Sequence, residues 1–199
     1  MSEPSDREDS ALVETRAWLE RAVIGLNLCP FAKAPHAKGQ IRFVRSRAAD
    51  EEGLLADLQA ELETLIEADP ARIETTLLVH PTLLADFDAF NDFLDPAEAL
   101  LDAMDLAGVV QLASFHPRFR FEGTEADDLS NATNRSPYPT LHLLREASVE
   151  RAVEAFPDPA AIFEANLATL DALGVQGWDA LRAACHADTQ RHASNRQDS

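Results

Sequence analysis

Polar side chains that could take part in catalysis or binding concentrate in residues 114–146. This segment follows a hydrophobic run over residues 109–113 that predicts a buried strand, and the next apolar run starts only at Leu141. Loops this long are uncommon inside compact domains and usually act as lids, binding loops or disordered linkers. Aromatic side chains among the charges favour an ordered loop: Phe115, Phe119, Phe121 and Tyr138. We therefore expect a functional site rather than a linker.

Three histidines follow or lie within predicted strands. His80 ends one hydrophobic run and His116 ends the next. If those strands are parallel, both histidines lie at one carboxyl edge of the sheet, where open α/β folds bind their ligands. An antiparallel fourth strand would start at the same edge and bring Arg135, Tyr138 and His142 near them. The strand order thus predicts one shared site.

Two chemistries would use these histidines or a thiol directly. His80, His116 and His142 could bind zinc or another divalent ion and leave one position open for water, although no HExxH or paired-cysteine spacing supports this option. Alternatively, Cys29 would attack a substrate, activated by a histidine and by the charge of Lys33. For Cys29, simple packing of the thiol at a helix end is the favoured interpretation.

A third chemistry needs neither a metal ion nor a covalent step. Cationic and polar side chains would bind a carboxylate or phosphate while a histidine moves a proton. The candidate ligand-binding residues are Arg135, Lys33, Asn134, Tyr138 and Arg145. The competing interpretation is structural, since a histidine before proline can simply end a strand and residues 131–136 can form side-chain-to-backbone turns.

The net charge of −18, from 35 acidic and 17 basic residues, argues against nucleic acids as partners. Such an acidic surface repels phosphate backbones, so we expect no nucleic-acid binding. No apolar run is long enough to span a membrane, and the first ten residues lack the features of a signal peptide. We expect a cytoplasmic protein in which Cys29 and Cys185 stay reduced.

The positive charges are unevenly placed. Residues 21–49 contain no Asp or Glu, whereas they contain six basic side chains: Arg21, Lys33, Lys38, Arg42, Arg45 and Arg47. Such a patch on an acidic protein could attract an anionic ligand. Alternatively, these cations balance acidic helices.

Hydrophobic periodicity and capping residues predict the elements that position these side chains. Six helices are predicted, which start at Ser10, after Asp50, after Thr82, after Ser148, after Asp158 and at Trp178. The helix after Thr82 is expected to restart at Asp95-Pro96, and the helix after Asp158 is expected to end near Gly174. The predicted strands cover residues 41–45, 75–79, 106–114 and 140–145.

The alternation of strands and helices predicts an α/β fold with a small, mainly parallel sheet of about four strands, flanking helices and a helical C-terminal segment. At 199 residues the chain can bury a proper core. We expect one domain over residues 10–186, with disordered tails at residues 1–9 and 187–199.

Four segments resemble a known family: IGLNLCPFAK at 24–33, SFHP at 114–117, TNRSPYP at 133–139 and LHLLRE at 141–146. Together they are similar to the bacterial and plant family called domain of unknown function 1415, and the resemblance covers about residues 15–185. It implies a single soluble domain. Because no reaction is established for that family, the resemblance assigns no site residue.

The sequence therefore favours an enzyme that acts on a small anionic molecule at the carboxyl edge of its sheet, by acid–base or metal-assisted chemistry that could be hydrolytic. His116 is the first choice for acid–base work, so His116→Ala should remove function with little change in melting temperature. The alternative is a non-catalytic binding or adaptor protein with an ordered polar loop. The sequence does not determine the metal, the substrate or the oligomeric state.

Overall fold

A computed structural model describes residues 10–155 and 159–194 of the chain. The strands are β1 (Ile41–Arg45), β2 (Thr75–Val79), β3 (Val110–Phe115) and β4 (Thr140–Arg145). The helices are α1 (Ser10–Trp18), which continues as a π-helix (Leu19–Ile24), α2 (Lys33–Ala37), α3 (Glu51–Glu67), α4 (Phe87–Ala103), α5 (Glu146–Ala155) and α6 (Pro159–Ser194), with a 3₁₀ helix (Leu129–Asn134) between β3 and β4. The α/β class and the four strands are confirmed.

The sheet is mixed, which corrects the expectation of a mainly parallel sheet. Its strand order is β1-β2-β4-β3. β1 and β2 are parallel, whereas β4 is antiparallel to both β2 and β3. β4 lies between two strands that share a direction but do not pair with each other, and an antiparallel return needs no helical crossover. The carboxyl ends of β1, β2 and β3 and the start of β4 therefore share one edge.

Two hydrophobic layers cover the two faces of the sheet, because successive strand side chains point to opposite faces. On one face α3 and α4 bury Leu58 and Phe90 against Leu78 of β2. On the other face α1 and α6 bury Trp18 and Trp178 with Phe43 and Phe115 packed against them. Each fully buried side chain of this size contributes about 1.5–3 kcal/mol.

The start of α4 differs from the sequence prediction. Asp86 caps the helix by accepting hydrogen bonds from the amides of Asp88 and Ala89, so Thr82 is not its cap. Leu84 has a φ of 56°, a left-handed conformation that cannot continue a right-handed helix. Pro96 lies inside the helix without restarting it.

The C-terminal helix α6 is interrupted where the sequence predicts a helix end, and it finishes later than predicted. Gly174 has a φ of 67° and a ψ of 171°, which divides α6 where the sequence predicts a helix end. After this break the helix continues to Ser194, beyond the end near residue 187 that the sequence predicts. Residues 195–199 of the expected C-terminal tail lie outside the described residues. The other expected tail, residues 1–9, lies outside the described residues. In the described ranges, each helix is too short or too polar to cross a membrane.

Candidate functional site

Loop 116–139 is tied by backbone hydrogen bonds to the carboxyl edge of the sheet. The His80 amide donates to the Pro139 carbonyl at 3.0 Å, and the His116 amide donates to the Asn134 carbonyl at 3.1 Å. Both ends of the loop therefore meet at the ends of β2 and β3, where the sequence places the candidate site.

His80 and His116 lie close together, on the α4 face of the sheet. Their rings stack on the Phe90 ring, at centroid distances of 5.7 Å for His80 and 5.1 Å for His116. The two histidines are 1% and 0% exposed. Burial lowers the pKa of His80 to about 4 and also lowers the pKa of His116, because desolvation disfavours the charged ring. Both rings are neutral at physiological pH.

Hydrogen bonds to the backbone fix the His116 ring. Its Nδ1 accepts from the Arg118 amide at 3.0 Å, so the proton of the neutral ring is on Nε2. Nε2 donates to the Leu84 carbonyl at 3.1 Å, and that residue has the left-handed backbone described above. Both ring nitrogens are thus occupied and shielded from solvent. A catalytic role for His116 stays a prediction, and this geometry favours a structural one.

His80 has one nitrogen in use. Its Nδ1 donates to the Leu83 carbonyl at 3.2 Å. Its Nε2 is buried and has no hydrogen-bond partner among the residues that the structure describes. The two histidines together hold residues 83–84 against the edge of the sheet, which orients the start of α4.

His142 lies on the opposite face, in the middle of β4 between Leu77 and Ala113. Its Nε2 is 2.7 Å from the Thr75 hydroxyl oxygen, and that hydroxyl donates to the Leu143 carbonyl at 2.5 Å. The hydroxyl proton is thus used, so His142 is the donor to Thr75. Burial lowers the pKa of His142 to about 4.

The three histidines therefore do not converge on one point. Over residues 10–155 and 159–194, no three His, Cys, Asp or Glu side chains are arranged to hold a metal ion. The histidines that the metal-binding option would use, His80, His116 and His142, do not form a ligand set in the described residues.

Cys29 lies apart from His80 and His116, packed against the core beneath α1 and α6. Burial raises the pKa of its thiol, although hydrogen bonds from the Phe31 and Ala32 amides act in the opposite direction. A raised pKa leaves less of the nucleophilic thiolate. Lys33 is exposed at the start of α2.

Arg145 is at the opposite edge of the sheet, where β4 ends. Its guanidinium donates to the Leu65 carbonyl, to the Ala68 carbonyl at 2.9 Å and to the Ile73 carbonyl at 3.1 Å. These carbonyls belong to the end of α3 and to the turn after it, so Arg145 connects these segments to the sheet. The position is remote from the proposed site.

Two arginines of the basic segment 21–49 are already paired with carboxylates and do not form an anion site. Arg21 pairs with Asp188 of α6 at 2.7 Å. Arg42 makes a bidentate pair with Glu61 of α3, at 2.7 and 3.0 Å. For these two arginines the structure agrees with the alternative that the cations balance acidic helices.

An open cleft of about 370 Å³ lies between α1, α6 and the segment before β4. It is at the carboxyl edge, on the α1/α6 face of the sheet. We call it the α1–α6 cleft. Its lining residues are Glu14, Trp18, Arg135, Ser136, Pro137, Asp179, Arg182, Ala183, Cys185 and His186.

A carboxylate, a phenol and an imidazole are hydrogen-bonded together at one side of the α1–α6 cleft. The Tyr138 hydroxyl donates to Oε2 of Glu14 at 2.8 Å, and Nδ1 of His186 is 3.4 Å from the same oxygen. The Glu14 side chain is 13% exposed, whereas the His186 side chain is 61% exposed. The histidine can therefore reach a ligand in the cleft while the carboxylate orients it.

Two guanidinium groups line the same cleft. Arg135 donates from Nε to the Phe119 carbonyl at 3.2 Å and from Nη2 to the Ala126 carbonyl at 2.5 Å. These bonds fix it to loop 116–139. Burial, followed by the nearby charge of Arg182, lowers the pKa of Arg135. Arg182 pairs with Asp179 at 3.8 Å, and both side chains are exposed.

The base of the α1–α6 cleft is apolar. Trp18 is buried and packs edge-on against Phe115 at a centroid distance of 5.3 Å. Cys185 is also buried, and burial raises the pKa of its thiol to about 11. The thiol is therefore protonated at physiological pH and is a poor nucleophile.

The structure brings two predicted ligand-binding residues, Arg135 and Tyr138, into this cleft region. Asn134 lies next to them in sequence, but its amide donates to the Ser114 carbonyl at 3.2 Å. Sequence reasoning missed the residues contributed by helices: Glu14, Asp179, Arg182 and His186. The only signal was the presence of charged side chains on α1 and α6, which is typical of any solvent-facing helix.

Comparison with known proteins identifies a family and no characterised relative. The family described as Protein of unknown function (DUF1415) matches residues 10–180. No curated protein matches the chain, and no solved structure does. The match covers most of the chain and includes all four segments that carry the resemblance. The chain belongs to the DUF1415 family.

Proposed function

We propose that the protein is an enzyme that binds a small anionic molecule in the α1–α6 cleft and moves a proton on it. The observation that carries this proposal is the cleft itself, which combines two arginines with a histidine bonded to a carboxylate. The site is at the carboxyl edge of the sheet, as the strand order suggested, but not beside His116.

Anion binding follows from the two guanidinium groups. Arg135 is held by loop carbonyls, so little side-chain freedom is lost when a ligand binds to it. Arginine binds carboxylates and phosphates through charge-assisted hydrogen bonds that are stronger than neutral ones. The lining also contains Glu14 and Asp179, so an anion is attracted by the two guanidinium groups themselves and not by a net positive surface.

Proton transfer follows from the hydrogen bonds of His186. A carboxylate can only accept, so Nδ1 of His186 donates to Glu14 and carries the proton of the neutral ring. In this tautomer Nε2 carries the lone pair and accepts from the Gln190 amide nitrogen at 3.3 Å. Because the Gln190 side chain is exposed, it can turn away and leave Nε2 free to take a proton. A histidine oriented in this way by a carboxylate is a common general base. Activation of a water molecule for hydrolysis is one reaction that this arrangement could perform.

The proposal is tested by ligand-dependent unfolding of the wild type and of Arg135→Gln. Phosphate, small carboxylates and nucleotides are added singly, and the melting temperature is followed. A ligand at a hundred times its dissociation constant should stabilise the fold by about 2.7 kcal/mol. Arg135→Gln should lose this gain, whereas Arg72→Gln, on an exposed turn near the opposite edge of the sheet, should keep it.

The variants also separate specific binding from general salt effects, because phosphate stabilises most proteins by exclusion from their surface. That general effect is equal in the wild type and both variants. If all three proteins respond equally to every anion, the α1–α6 cleft is not an anion site, and the adaptor alternative is favoured instead.

A further inference from the structure

We infer that the α1–α6 cleft selects ligands with two negative charges, such as a phosphate monoester or a dicarboxylate, and that Asp179 limits this selectivity by competing for Arg182. This inference rests on the proposed anion site and names its substrate class. It follows from the unequal environments of the two cleft arginines.

Arg135 is a fixed cation. Two carbonyls of loop 116–139 hold its guanidinium in place. The charges of Asp128 and Asp127 act on it, but neither carboxylate forms an ion pair with it among the described residues. Its charge is therefore available to a ligand, and a single negative charge is enough to pair with it.

Arg182 is a movable cation that already has a partner. It lies one turn after Asp179 on α6, and the closest approach of their charged atoms is 3.8 Å. Their side chains are 62% and 64% exposed, so water screens the pair. Exposed pairs at this helical spacing contribute little to stability. A ligand with a second charge can therefore displace Asp179.

Both guanidinium groups line the same cleft and repel each other. The charge of Arg182 lowers the pKa of Arg135, whereas the charges of Asp128 and Asp127 act in the opposite direction. An anion placed between them removes this repulsion and pairs with both. A monoanion neutralised by Arg135 has little charge left with which to attract Arg182 away from Asp179. A dianion pairs with both arginines, so its affinity depends on Arg182 and on Asp179.

Isothermal titration at constant ionic strength tests the inference with four probes. Sulfate and malonate are the dianions, and nitrate and acetate are the monoanions. We expect the wild type to bind the dianions at least tenfold more tightly. Arg182→Gln should weaken dianion binding by about tenfold or more, the usual effect of removing one charged hydrogen-bond partner, and should leave monoanion binding within twofold.

Asp179→Asn gives the sharper result. It should strengthen dianion binding by about twofold to fivefold, which corresponds to the strength of an exposed ion pair. Monoanion binding should not change. The gain should disappear in the double variant Asp179→Asn/Arg182→Gln, because the competition requires Arg182. Asp92→Asn on the exposed face of α4 is the control for loss of one negative charge.

The outcomes separate this inference from the proposed function. Equal binding of monoanions and dianions, or a gain in Asp179→Asn that persists in the double variant, overturns the selectivity and leaves the anion site intact. Failure of all four probes to bind, with Arg135→Gln indistinguishable from the wild type, overturns the anion site itself.

Discussion

Replacing His116 with alanine tests the structural role that the hydrogen bonds of this residue indicate. The ring is fully buried and packs against Phe87 and Phe90. Alanine removes the partners of the Arg118 amide and of the Leu84 carbonyl, and a buried group left without a partner costs about 1–3 kcal/mol. Truncation of a buried aromatic ring to alanine typically costs about 3–5 kcal/mol.

We therefore expect His116→Ala to lower the free energy of unfolding by about 4 kcal/mol, a large part of the 5–15 kcal/mol that holds a typical domain together. Urea unfolding followed by tryptophan fluorescence measures this change, since Trp18 and Trp178 are both buried. His186→Ala is the comparison, because its largely exposed side chain should contribute about 1 kcal/mol or less. The folded fraction of His116→Ala should still bind sulfate.

A small loss of stability together with a loss of anion binding would contradict the structural role of His116. If His116→Ala unfolds within about 1 kcal/mol of the wild type and also fails to bind any anion, the ring acts on a ligand and the sequence-based choice of His116 was sound. The structural assignment of the His80–Phe90–His116 stack would then have to be abandoned.

Three further predictions follow from the buried groups. His80 and His142 have a pKa of about 4 in the fold against 6.5 when unperturbed, so the unfolded chain binds their protons first. The free energy of unfolding should therefore be highest above pH 6.5 and should fall as the pH drops towards 4, by on the order of 2 kcal/mol per ring at pH 5. His142→Asn should reduce the difference between the unfolding free energies that urea titrations give at pH 7 and at pH 5. Arg145→Gln should lower the unfolding free energy by about 2–3 kcal/mol in the same assay, because it leaves the carbonyls at the end of α3 without their donor, and a change below about 0.5 kcal/mol would contradict this role. Cys29 and Cys185 should react with a thiol reagent much more slowly in the folded protein than in urea, since burial raises the pKa of both thiols; equal rates would contradict the burial.

The strands and their polar ends could be predicted because those signals are local. Residues 75–79 are apolar and β-branched, and His80 follows them directly, so its place at a strand end needs no tertiary information. The face of His142 was also predictable, since it alternates with Leu141 and Leu143, which point to the α4 core. The expected convergence of three histidines overlooked that alternation.

The strand order and the α1–α6 cleft could not be predicted from local patterns. The insertion of β4 between β2 and β3 depends on which strands pair in the folded protein. The local sequence of the strands and turns does not determine that pairing. Glu14 and His186 are separated by 172 positions and meet only because α1 and α6 pack on the same face of the sheet. An exposed histidine on a helix carries no local sign of that contact.

Crystals soaked in selenate test whether the α1–α6 cleft binds a dianion at Arg135 and Arg182. Selenate is a permanent dianion, and its selenium atom is located by anomalous scattering. We expect an anomalous peak in the α1–α6 cleft within hydrogen-bond distance of the guanidinium groups of Arg135 and Arg182, with Arg182 moved away from Asp179. A cleft that stays empty while selenate binds elsewhere, or a peak that contacts neither arginine, would contradict it.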